Sequence, residues 1–159
     1  MNKNLPNKIV IISLCEKFSN EIAKMISQDL GMLFCNAREL IEYELIDRKR
    51  VEEIASVKYV KDVEKKVLKN LASYENVCIS LSYEHFMTSY KSFENNSLII
   101  FLDLPKNFIK ENEMVSFLDY DERKKNLSEL STCLVSVRKL DKNFVKDKVL
   151  KILGGILWI

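Results

Sequence analysis

Few side chains in this chain have the type and spacing to do chemistry. There is one histidine, His85, and four cysteines, Cys15, Cys35, Cys78 and Cys133, with no CxxC pair among them. Metal-ligand spacing is therefore absent, and no metal site is expected. Each cysteine sits in or beside an apolar run, which reads as buried thiols in a reducing compartment. Tyr83, His85 and Phe86 form an aromatic cluster, with Phe86 expected in the core and Tyr83 filling a pocket. The run DERKK places Arg123, Lys124 and Lys125 together and reads as a charged surface with local ion pairs. The segment SLCEKFSN, Ser13–Asn20, joins an apolar run to an amphipathic one, and Lys17 is its only cation. Ser19 and Asn20 are N-cap residue types, so a helix is expected to open at Ser19–Glu21, its free N–H groups either offered to an anion or capped internally by Ser19 or Asn20. Only three glycines are present, although a loop that wraps phosphate needs glycine for close backbone approach.

The elements that would hold these residues follow from hydropathy. Five short apolar runs, Lys8–Leu14, Met32–Cys35, Val77–Leu81, Leu98–Leu102 and Cys133–Val137, alternate with longer amphipathic stretches. Near-continuous apolar runs suit strands buried on both faces, as in a parallel sheet. Helices are expected over Ser19–Leu30, stopped by Gly31, and over Ala37–Ile46, Val51–Ser73 and Asn143–Leu153, with Gly154 and Gly155 following the last. The polar stretch 106–126 is expected to be an exposed or mobile segment over the sheet edge. This alternation predicts βαβ units and an α/β fold, a five-stranded parallel sheet flanked by helices. Ligands of such folds bind beyond the carboxyl ends of the strands.

Composition sets the outer bounds. The length, 159 residues, suits one domain, and 47% hydrophobic residues supply a core and exclude disorder. A net charge of +2 leaves no broad footprint for nucleic acid or an anionic membrane, so neither is expected as a partner. No apolar run approaches about 18 residues, and Ile9–Leu14 is too short for a signal-peptide core, so a cytoplasmic location is expected. The closing GGILWI reads as a packed terminus or an oligomer contact.

The ordered pieces resemble shikimate kinases, small kinases with a phosphate-binding loop, over residues 8–153. KIVIIS and the following helix resemble the first strand and its phosphate loop. LGMLFCNARELIE resembles the family's LGxxFxDxDxxIE segment, with Asn36 and Arg38 at the two Asp positions. In VEEIASVKYVKDVEKKVLKNL, Val60 stands for a Phe, Lys61 stands for the substrate-binding Arg, and Glu64 matches. ENVCISLSYEHF resembles the third strand and its Gly-Gly-Gly turn, here Ser82, Tyr83 and Glu84. The resemblance implies a three-layer kinase-like fold with a lid-like segment at 106–126. If the chain is active, it implies ATP and magnesium as cofactors and Lys17, Lys61 and Arg123 as the residues carrying catalysis.

The same resemblance points away from that activity. The phosphate loop requires GxxxxGK[ST]. Here Ser13 and Phe18 stand at the two glycine positions, Ser19 at the lysine and Asn20 at the hydroxyl. Asn36 is neutral and a poor magnesium ligand. Glu84 would repel a carboxylate substrate, and Lys61 lacks the planar fork of arginine. The expectation is therefore an inactive shikimate kinase-like protein without a cofactor, acting as a binding or structural module for a protein partner or a second copy. A kinase with a non-standard phosphate loop and a nucleotide or metabolite sensor without turnover are the alternatives.

Overall fold

The computed structural model describes residues 7–45 and 56–157. Ile46, Val51–Ala55 and Trp158, which the sequence assigns to helices or to a contact surface, lie outside the described residues. Five strands, β1 (Lys8–Ser13), β2 (Leu33–Asn36), β3 (Val77–Ser80), β4 (Leu98–Asp103) and β5 (Cys133–Ser136), form one sheet in the order β2-β3-β1-β4-β5. Every pairing is parallel, and Ile9 sits between Cys78 and Leu98. All six residues of β1 are buried, as expected of a central strand covered on both faces.

Among the described residues, eight helices flank the sheet: α1 (Glu16–Leu30), α2 (Ala37–Leu45), α3 (Val57–Ser73), α4 (Tyr83–Phe93), α5 (Lys106–Asn112), α6 (Met114–Leu118), α7 (Tyr120–Leu130) and α8 (Lys142–Leu157). The result is a three-layer α/β fold. Helix α1 buries Phe18, Ile22, Ala23 and Ile26, and Gly31 ends it in the left-handed conformation (φ 65°), where a side chain would be strained. Ser56 caps α3 by accepting the Tyr59 N–H, and Ser82 caps α4 by accepting the His85 N–H. Cys15, Cys35 and Cys78 are buried and Cys133 is partly so; burial pushes the Cys78 thiol up to about 12.

Three sequence expectations are corrected. Helix α1 opens at Glu16, not at Ser19–Glu21, because starting a turn earlier brings Phe18 onto the buried stripe with Ile22 and Ile26. The stretch 106–126 is folded into α5, α6 and the start of α7, and Ile109, Tyr120 and Arg123 are buried. Helix α8 continues through Gly154 and Gly155 to Leu157. Two helical glycines cost about 1 kcal/mol each, too little to end a helix anchored by buried Val145, Val149 and Leu153.

Candidate functional site

The carboxyl ends of β1 and β3 open onto a cavity of about 250 Å³ lined by Ser13, Glu16, Arg38, Ser82, Tyr83, Glu84, Glu113 and Ser116, with Leu14. Only Leu14 and Cys15 lie between the end of β1 and the start of α1. This turn is closed by its own hydroxyls. Ser13 Oγ accepts the Cys15 N–H at 3.1 Å, contacts Cys15 O at 2.7 Å and lies 2.7 Å from Ser19 Oγ. Ser19 Oγ also donates to Cys15 O at 3.1 Å, and the Ser19 N–H reaches the same carbonyl at 3.2 Å. Ser19 is fully buried. Asn20 Oδ1 accepts a hydrogen bond from Ser80 Oγ at the end of β3. Ser19 and Asn20 thus lie inside the helix, and the free N–H groups of its first turn are not at Ser19–Glu21.

Phe18 points away from the cavity. It is buried and meets the edge of Phe108 on α5, with ring centroids 6.0 Å apart and planes at 72°. It therefore ties α1 to α5.

Two arginines and three carboxylates set the electrostatics. Arg38 grips Glu16 with both sides of its fork, Nε at 2.9 and 3.1 Å and Nη2 at 2.9 Å. The hydrogen bond to Glu16 raises the Arg38 pKa, against the opposing effect of burial. Arg123 is 9% exposed, so its reading as part of a surface run is corrected. Its guanidinium lies 4.5 Å from the Tyr83 ring centroid, donates to Glu84 Oε1 at 3.0 Å and approaches Ser116 Oγ at 3.4 Å. Asn126 Nδ2 donates to the Tyr83 hydroxyl at 2.8 Å. Both arginine charges are thus engaged by carboxylates of the chain. Burial, and then the charges of Glu16 and Glu84, push the Glu113 carboxyl up. His85 is buried with Nδ1 unpartnered; burial, then Arg38, hold it below the usual histidine range.

The structure does not gather Lys17, Lys61 and Arg123. Lys17 is exposed and lines a different cavity, of about 280 Å³, beside Phe18 and Phe108. Lys61 is exposed on α3, outside the lining of the cavity that holds Arg38. Asn36, at the end of β2, accepts the N–H groups of Arg38 at 3.0 Å and Glu39 at 3.4 Å, and so serves as the opening cap of α2. Sequence reasoning missed Glu113 and Ser116, which lie in a polar stretch with no motif. Among the described residues no group of three or more His, Cys, Asp or Glu has the arrangement to hold a metal ion.

The sheet order and layers define a P-loop kinase-like fold. Within that class the solved structures most like it include shikimate kinases. The enzyme of Aquifex aeolicus superposes with a TM-score of 0.72 at 21% identity, covering 93% of this chain and 96% of that one. The shikimate kinase of Bacteroides thetaiotaomicron gives 0.75 at 14% identity, covering 96% and 99%. A gluconokinase from Sinorhizobium meliloti gives 0.60 at 17% identity, covering 98% and 95%. No protein-family model and no curated protein sequence matches the chain. The fold is thus shared at near full length, at identities that speak for architecture alone. No described helix is long and apolar enough to cross a membrane.

Proposed function

We propose that this chain is a shikimate kinase-like protein that no longer transfers phosphate and acts in the cytoplasm as a binding module for a protein partner or a second copy of itself. The observation that carries this reading is the turn between β1 and α1. Phosphoryl transfer is almost entirely positioning and charge stabilisation. Here helix α1 occupies the span where a phosphate loop would lie, the Ser19 amide is spent on Cys15 O, and the lysine position holds a buried hydroxyl. At the end of β2, Asn36 caps α2. The loop is, on this reading, a degenerate phosphate loop, and neither ATP nor magnesium is a working cofactor.

The test is a coupled assay for MgATP consumption with shikimate and, separately, with gluconate. No turnover above background is expected, and a rate of about 1 s⁻¹ or more, ordinary for kinases, would overturn the proposal. One observation favours a second reading, a small-molecule kinase with a non-standard phosphate loop: Arg123 is buried beside the cavity, where a cation would meet a transferring phosphate. That reading requires Arg123→Ala to abolish turnover.

A further inference from the structure

A third cavity, about 340 Å³, opens beyond the carboxyl ends of β4 and β5. Its lining includes three cations, Lys106, Lys124 and Arg138, against one carboxylate, Asp103. We propose that this cavity is a binding site for a small polyanion, a molecule carrying two or more negative charges on phosphate or carboxylate groups.

The argument starts from Tyr120, a residue 9% exposed whose ring both lysines approach. Lys106 Nζ lies 5.1 Å and Lys124 Nζ 5.8 Å from its centroid. Two ammonium groups on one ring repel each other, and only Lys124 has a carboxylate, Asp103 Oδ2 at 3.3 Å. Among the described residues, neither Lys106 nor Arg138 has an ion-pair partner. The fold gathers these residues at one mouth: Asp103 ends β4, Lys106 opens α5, Lys124 is on α7 and Arg138 follows β5, with Lys106 and Arg138 exposed. An anion between the cations relieves their repulsion and gains charge-assisted hydrogen bonds. The volume lies at the low end of the range of about 300–1,000 Å³ typical of small-ligand sites, which favours a compact ligand. This site is independent of whether the chain transfers phosphate, and it shares no lining residue with the cavity that holds Arg38 and Glu16.

The test is calorimetric titration of the full chain with inorganic pyrophosphate, without magnesium or nucleotide, at low ionic strength. Saturable one-to-one binding is expected, with a Kd below about 1 mM. The double variant Lys106→Ala, Arg138→Ala should bind at least about tenfold more weakly. Asp103→Asn, which removes the competing carboxylate, should bind about threefold more tightly or better. Lys17→Ala, at the cavity beside Phe18 and Phe108, should bind as the parent chain does. Circular dichroism melts establish that each variant is folded. The proposal is overturned by an absence of saturable binding up to about 10 mM, by a double variant that binds like the parent, by weakening in Asp103→Asn, or by a loss in Lys17→Ala equal to that in the double variant.

Discussion

Replacing Ser19 with lysine restores the cation that the shikimate kinase pattern requires, at a position this fold has closed. Ser19 is fully buried, with its hydroxyl 2.7 Å from Ser13 Oγ and 3.1 Å from Cys15 O. Ser19→Ala removes those two hydrogen bonds, each worth about 1 kcal/mol net. Ser13 Oγ keeps its contacts to Cys15, so the alanine variant should lose about 1–2 kcal/mol. Ser19→Lys loses the same bonds and must also desolvate an ammonium group, an effective penalty of several kcal/mol. The lysine variant is therefore expected to be less stable than the parent by about 4 kcal/mol or more. Urea titrations of the three proteins measure both steps, and calorimetry with MgATP measures any gain of affinity, expected to be none. A lysine variant as stable as the alanine variant, with micromolar affinity for MgATP, would refute the reasoning. The turn would then be an open cradle lacking only its cation.

Other perturbations probe the neighbouring contacts. Phe18→Ala should cost about 3 kcal/mol or more and speed amide exchange in α5, since Phe18 is buried against Phe108; a loss below about 1 kcal/mol would refute that tie. The raised Glu113 pKa means that the folded state binds the proton more readily than the unfolded one, so stability falls as pH rises past the usual glutamate range. Glu113→Gln should accordingly raise Tm at pH 7 and have no effect below about pH 4, as read by melts across pH. His85 has the opposite sign. Its pKa is lowered in the fold, so its contribution is full above about pH 6.5 and declines as pH drops towards the folded value, a decline that His85→Gln should flatten. Glu84 is 60% exposed at its side chain, so Glu84→Gln should change stability by less than about 1 kcal/mol, whereas Arg123→Ala, which also removes the stack on Tyr83, should cost more in the same urea titration.

Most of the architecture was legible because strands buried on both faces leave a simple trace. KIVIIS, VCIS and LIIFLD are almost wholly apolar, and all three lie at the centre of the sheet. The start of α1 was not legible from cap residues. Ser19 and Asn20 have the side chains of an N-cap, yet Cys15 takes that position with no side-chain hydrogen bond, and the buried contact of Phe18 outweighs a cap worth about 1 kcal/mol. Charge density concealed the folded state of 106–126. Tyr120, Arg123 and Leu127 recur at helical spacing and all three are buried, but a stripe with arginine at its middle resembles surface. Of the site, the ends of β1 and β3 were locatable from the fold class. The pairing of Arg38 with Glu16 and of Arg123 with Glu84 joins residues far apart in sequence and left no local trace.

The sheet order also dictates a sequence of events during synthesis. Among the described residues, β1 pairs only with β3 and β4, and β2 pairs only with β3. A nascent chain that ends before Val77 therefore holds two apolar strands with no partner for either. When Val77–Ser80 emerges, β3 can recruit both neighbours at once, one on each edge, so the first stable nucleus needs about half the polypeptide. Until then the exposed β1 is the segment most open to association with other chains.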